Sequence, residues 1–97
     1  MNEVEKMYEN AGVEPIYPYT KCYPDFTTEK QIEILKLLCQ QRFIELGTTP
    51  DDEYFLYDHD CCQSHSQHFN EAVAKFVNML WQDLTEEEKQ RVKGILE

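Results

Sequence analysis

Between His59 and His68 the chain gathers all three of its histidines and two of its four cysteines, within the run DHDCCQSHSQH that begins at Asp58. Imidazole and thiolate are the ligands tetrahedral zinc prefers, so His59, Cys61 or Cys62, His65 and His68 make a four-ligand set, with Cys22 as a replacement. The pattern argues the other way: there is no C-x-x-C, and adjacent cysteines tend to point apart. The same residues also read as polar side chains at the mouth of a helix. Ser64 and Gln67 have the spacing of a capping box, which starts a helix inside the cluster. His65 and His68 then lie one turn apart, within reach of a single ion. Four residues before Phe69 the apolar stripe of that helix reaches His65, whose ring would pack over the end of the core. A thiol nucleophile is the third reading. A helix N-terminus favours the thiolate, Asp58 and Asp60 oppose it, and no full set of nucleophile, base, orienting group and oxyanion hole can be assigned. We expect no enzyme and no cofactor, with zinc as the alternative.

The elements around the cluster are mostly helical. EVEKMYEN (3–10) sets Val4, Met7 and Tyr8 on one side and stops at Gly12. Next comes an extended connector, EPIYPYTKCYPDF, in which three prolines alternate with aromatics. Thr28 with Gln31 has capping-box spacing, and the following helix puts Ile32, Leu35, Cys39, Phe43 and Leu46 on one stripe, widened by Ile34, Leu37 and Leu38. A stripe that wide implies packing on more than one side, and Cys39 within it reads as a small buried hydrophobe. RFIEL either continues this helix or starts a strand. If it is a strand, residues 42–46 and 54–58 pair as a small hairpin across the turn GTTPDDE. Phe69, Ala72, Val73, Phe76, Val77, Leu80 and Leu84 keep helical spacing without a gap, with Trp81 beside them, and mark the core helix. Thr85 and Glu88 repeat the capping box, opening a last helix with Val92, Ile95 and Leu96 as its apolar side. The expected fold is mainly α, a single domain of three to four helices over residues 1–97, and α+β if the hairpin at 42–58 forms. The N-terminal helix and connector take up 1–27 and the helical core 28–97.

Three glycines leave no glycine-rich loop to cradle a phosphate, and no apolar run reaches the roughly 20 residues of a membrane helix. The acidic start lacks the regions of a signal peptide, so an intracellular, soluble protein with reduced cysteines is expected. Nineteen acidic against nine basic residues give a net charge of −10, which disfavours direct contact with nucleic acid or anionic lipid. From Phe43 to Ala74 there are seven acids and no Lys or Arg. That bias is either a solvated face or a surface that docks on a basic partner. In the second case Tyr54 and Tyr57 anchor the contact while Asp51, Asp52, Glu53, Asp58 and Asp60 steer the partner.

The opening MNEVEKMYENAGVEP, the middle FTTEKQIEILKLL and the ending LWQDLTEEEKQRVKGILE together resemble small uncharacterised acidic proteins of Firmicutes phages and prophages. The likeness covers about half the chain and brings no functional residues with it. It implies a phage protein in the cytoplasm of a bacterial host, of the anti-defence or anti-CRISPR kind, that inhibits or modulates a host protein by stoichiometric binding. A nucleic-acid-binding effector of bacterial defence is the implied partner, met in part by imitating the charge of DNA. The alternative is a zinc-stabilised structural or interaction module of a phage with no inhibitory role.

Overall fold

A computed structural model describes residues 2–14, 25–59 and 62–97 of the chain. The proline-rich stretch 15–24 with Cys22, and likewise Asp60 and Cys61, lie outside the described residues. The described chain is mainly helical, and its β part is larger than a hairpin. The elements run α1 (Glu3–Ala11), α2 (Thr28–Cys39), β1 (Ile44–Thr48), β2 (Tyr54–Asp58), β3 (Gln63–Ser66), α3 (Phe69–Leu80), a short 3-10 turn (Trp81–Asp83) and α4 (Glu86–Leu96). No described helix is long and apolar enough to cross a membrane.

α3 is the centre of the molecule. Ala72, Val73, Ala74, Phe76, Val77 and Leu80 are all buried, a span too wide for a single contact face, and the helix packs on α1, α2, β2 and β3. α1 adds Val4, Met7, Tyr8 and Ala11 at helical spacing and ends at Gly12, whose φ of +74° is the left-handed cap that glycine adopts without penalty. α4 opens with the capping box expected at Thr85 and Glu88, and it buries Val92 and Leu96.

α2 differs from the expectation in its cap and in its register. Its N-cap is Thr27, one residue early, whose hydroxyl accepts from the Lys30 N–H; Gln31 instead turns inward and donates to the Phe26 carbonyl. Thr27→Ala should therefore cost about 1 kcal/mol, and Thr28→Ala much less, in urea unfolding. The core side of α2 is Gln31, Ile34, Leu37 and Leu38. The stripe read as primary, Ile32, Leu35 and Cys39, faces an open groove instead, so Cys39 is an exposed free thiol and not a buried hydrophobe. The helix stops at Cys39, so Phe43 and Leu46 never join that stripe. Phe43 is 70% exposed.

RFIEL feeds a strand. β1 pairs antiparallel with β2, Leu46 opposite Leu56, so the hairpin forms two residues further along its first arm than 42–46. Its loop is closed by the Asp52 N–H on the Thr49 carbonyl and the Thr49 N–H on the Glu53 carbonyl. Pro50 takes the first central position of the turn, and Asp52 adopts φ +63°, a left-handed conformation that short polar side chains tolerate. Gly47 lies under the Phe55 ring. A Cβ there would sit 2.6 Å from a ring carbon, so Gly47→Val should displace Phe55 and destabilise by about 1–2 kcal/mol, read by urea unfolding and the Phe55 ring resonances.

The third strand overturns the reading of the His and Cys run as a helix start. Residues 63–66 pair with β2, Ser64 opposite Leu56, giving a sheet ordered β1-β2-β3. Ser64 and Ser66 alternate inward. Ser64 donates to the Ala72 carbonyl, while Ser66 donates to Glu71 and accepts from the His68 N–H. Serine does tie down the start of α3, but from a neighbouring strand, and the N-cap position belongs to His68, which makes no side-chain cap bond.

Candidate functional site

Alternation along the strands gives the sheet two unlike faces. Leu56, Asp58, Ser64 and Ser66 point inward and are buried, with α3 packed against β2 and β3. Glu45, Gly47, Phe55, Tyr57, Gln63 and His65 share the outer face, where Phe55 and Tyr57 are half-buried and Glu45, Gln63 and His65 are exposed. The rings there lean on one another. His59 stands 4.8 Å from Tyr57 and 5.2 Å from Phe43 between ring centroids, and Phe55 lies 6.3 Å from His65. The imidazole Nε2 of His59 is 3.1 Å from a Glu45 carboxylate oxygen. Aromatic rings held by neighbours lose little entropy on contact, which suits them as anchors.

The face is acidic as well as aromatic. Asp51 and Asp52 are exposed at the β1–β2 turn beside Glu53, and none of the three forms an ion pair among the described residues. Two cations beside the sheet have partners elsewhere. Lys75 donates to the His65 carbonyl, and Arg42 makes a two-pronged bond to Glu88. That pair holds the Glu88 carboxyl below its ordinary value, through the Arg42 hydrogen bond first, and raises Arg42 in turn.

The seven residues expected to meet a partner do not form one surface. Asp51, Asp52, Glu53 and Tyr57 gather at the turn and outer face. Tyr54, three residues from Tyr57 on the same strand, points to the other side, 5.5 Å from the Phe69 ring. Asp58 is buried on the inner face, where its charge acts on Arg42, and Asp60 lies outside the described residues. Sequence reasoning missed Phe43, Glu45 and Phe55, although their odd-numbered alternation with Tyr57 carries the signal once 44–58 is read as strands; His65, weighed there as a metal ligand, joins this face through β3.

The histidines are spread apart. His59 belongs with Glu45 and Tyr57, His65 sits on β3 and His68 precedes α3, so the helical i and i+3 spacing of His65 and His68 does not exist here. Cys62 is half-buried and packs against the core. Among the described residues, no three His, Cys, Asp or Glu side chains are grouped so as to hold a metal ion. Comparison of the chain with protein-family models, with curated proteins and with solved structures finds no match.

Proposed function

We propose that this is a phage-encoded binding protein that inhibits or modulates a host protein by stoichiometric contact, docking its acidic turn and outer sheet face on a basic surface. The observation that carries the reading is the pairing of held aromatic rings, Phe55 and Tyr57, with Glu45, Asp51, Asp52 and Glu53, the last three without an ion pair among the described residues. A basic partner brought there gains Coulomb attraction without first breaking internal salt bridges of Asp51, Asp52 or Glu53. The same net charge of −10 repels nucleic acid and anionic lipid, so the surface suits a protein that itself handles nucleic acid. The likeness of the opening, first long helix and ending to phage and prophage proteins points to a defence effector of the bacterial cytoplasm.

The test is capture from host lysate with tagged wild type beside the triple variant Asp51→Lys, Asp52→Lys, Glu53→Lys. Wild type should retain a basic nucleic-acid-handling protein in near-equal amount, and the variant should not. Equal retention by both would overturn the reading.

A further inference from the structure

Among the described residues, no strand pairs with the outer edge of the sheet, strand β1. In an antiparallel ladder, residues that exchange hydrogen bonds with their partner alternate with residues whose N–H and C=O point away. The Thr49 N–H bonds the Glu53 carbonyl, so the bonded positions of β1 continue as Gly47 opposite Phe55 and Glu45 opposite Tyr57. The Asp58 N–H on the Cys62 carbonyl gives the same phase on the other side of β2. Ile44, Leu46 and Thr48 therefore turn their backbone groups outward, and no hydrogen bond from another described element reaches them.

Beside that edge lies an apolar groove of about 800 Å³ between α2 and the inner side of the sheet. Ile32, Leu35, Leu46, Tyr54 and Phe69 line it, and Ile32, Leu46 and Tyr54 are exposed, where a monomer of this size would normally turn such side chains inward. It is the second side of the broad α2 stripe, with nothing described packed into it. Lys36 stands at its wall, so the groove itself repels a cation. Across the edge, on the outer face, Glu45 leads towards Glu53, Asp51 and Asp52 at the end of the hairpin.

An incoming fourth strand would thus meet apolar side chains on one face and carboxylates on the other. We infer that β1 receives an extended partner segment, added antiparallel, in which apolar residues entering the groove alternate with lysine or arginine facing Glu45 and the acidic turn. Backbone bonds to Ile44, Leu46 and Thr48 supply affinity, and the alternation supplies selection. Antiparallel addition matches the existing sheet, and it directs the N–H groups of the groove-facing residues, not those of the basic ones, at β1. The inference takes from the reading above only that the partner is basic; the edge and the groove stand on their own.

The probe is an acetylated, amidated heptapeptide of alternating lysine and valine titrated into 15N-labelled full chain. Saturable shifts should centre on Ile44, Leu46, Thr48 and the groove, and exchange of those three amides should slow at least tenfold. N-methylation of the valines should weaken binding at least tenfold, and N-methylation of the inner lysines should change it little. Leu46→Asp, at a site already more than half exposed, should abolish binding with an unchanged circular dichroism spectrum. Shifts centred elsewhere, indifference to N-methylation or the reverse order of sensitivity would overturn the inference, as would a dimer that already pairs two β1 edges, seen by sedimentation at the same concentration. Failure of the peptide while the lysate capture still depends on Asp51, Asp52 and Glu53 removes the edge site alone. Peptide binding with a capture indifferent to those acids removes the function proposed above and leaves the edge site.

Discussion

Glu88→Ala is expected to lower the unfolding free energy by about 3 kcal/mol, read from the urea midpoint at neutral pH. The carboxylate is 5% exposed and receives both arms of the Arg42 guanidinium, one at 3.1 Å. Removing one partner of a buried ion pair costs about 3–5 kcal/mol, because the other charge stays in a poorly solvated site. The lower end applies here, since Asp58 acts on Arg42 from the sheet and the Asp83 carbonyl accepts from it. The variant also loses half of the capping box of α4. Arg42 sits between α2 and β1 while Glu88 lies on α4, so the pair fastens the first strand to the helical layer. The pH dependence follows from the direction of the shift. The folded-state pKa of Glu88 lies below its ordinary 4.5, so its contribution is complete above that value and is lost as pH falls through the lower one. Between pH 5 and pH 3 wild type should lose stability that Glu88→Gln does not. Arg42 is shifted upward and stays charged throughout, so it adds nothing in that window.

Reversal of Asp51, Asp52 and Glu53 to lysine should have the largest effect on binding. Each reversal moves the charge by two, taking the chain from −10 to −4 and making the tip of the hairpin basic. Charges at the rim of a contact act mainly on the rate of association, with steering worth roughly 10 to 1,000-fold at low salt. Association with the captured partner should slow at least tenfold at 20 mM salt, and the difference should shrink at 500 mM, where the screening length falls to a few ångströms. Dissociation should change less, because Phe55 and Tyr57 remain in place. Asp51 and Asp52 are exposed and none of the three is ion-paired among the described residues, so the cost to the fold is the strain of lysine at the left-handed Asp52 position, read by urea unfolding of the variant. Stopped-flow or surface-plasmon measurement at the two salt concentrations separates these effects.

Helices whose apolar residues all face the core were legible. Val4, Met7 and Tyr8 and the long run from Phe69 to Leu84 repeat at helical spacing, and the Thr85–Glu88 cap marks a helix start, so local signals suffice there. α2 was harder because it carries two apolar stripes, and periodicity does not say which one meets the core. The packing of α2 against α4 and α3, with Ile34 and Leu38 buried, decides it. β3 was not legible. QSHS has no β-branched or aromatic residue, and it becomes a strand because β2 offers it a ladder and α3 offers its two serines partners. The acidic bias of the site was plain from charge alone. Its division was not, because Tyr54 and Asp58 were grouped with Tyr57 by proximity in sequence, whereas a strand sends neighbours at odd spacing to opposite faces.

The most direct test of the binding surface is hydrogen exchange of the full chain, alone and in complex with the protein captured from host lysate. Protection confined to residues 43–59 and 63–65, with α1 and α4 exchanging as in the free protein, is the predicted result. Protection centred on α1 or α4, with the hairpin unchanged, would contradict it.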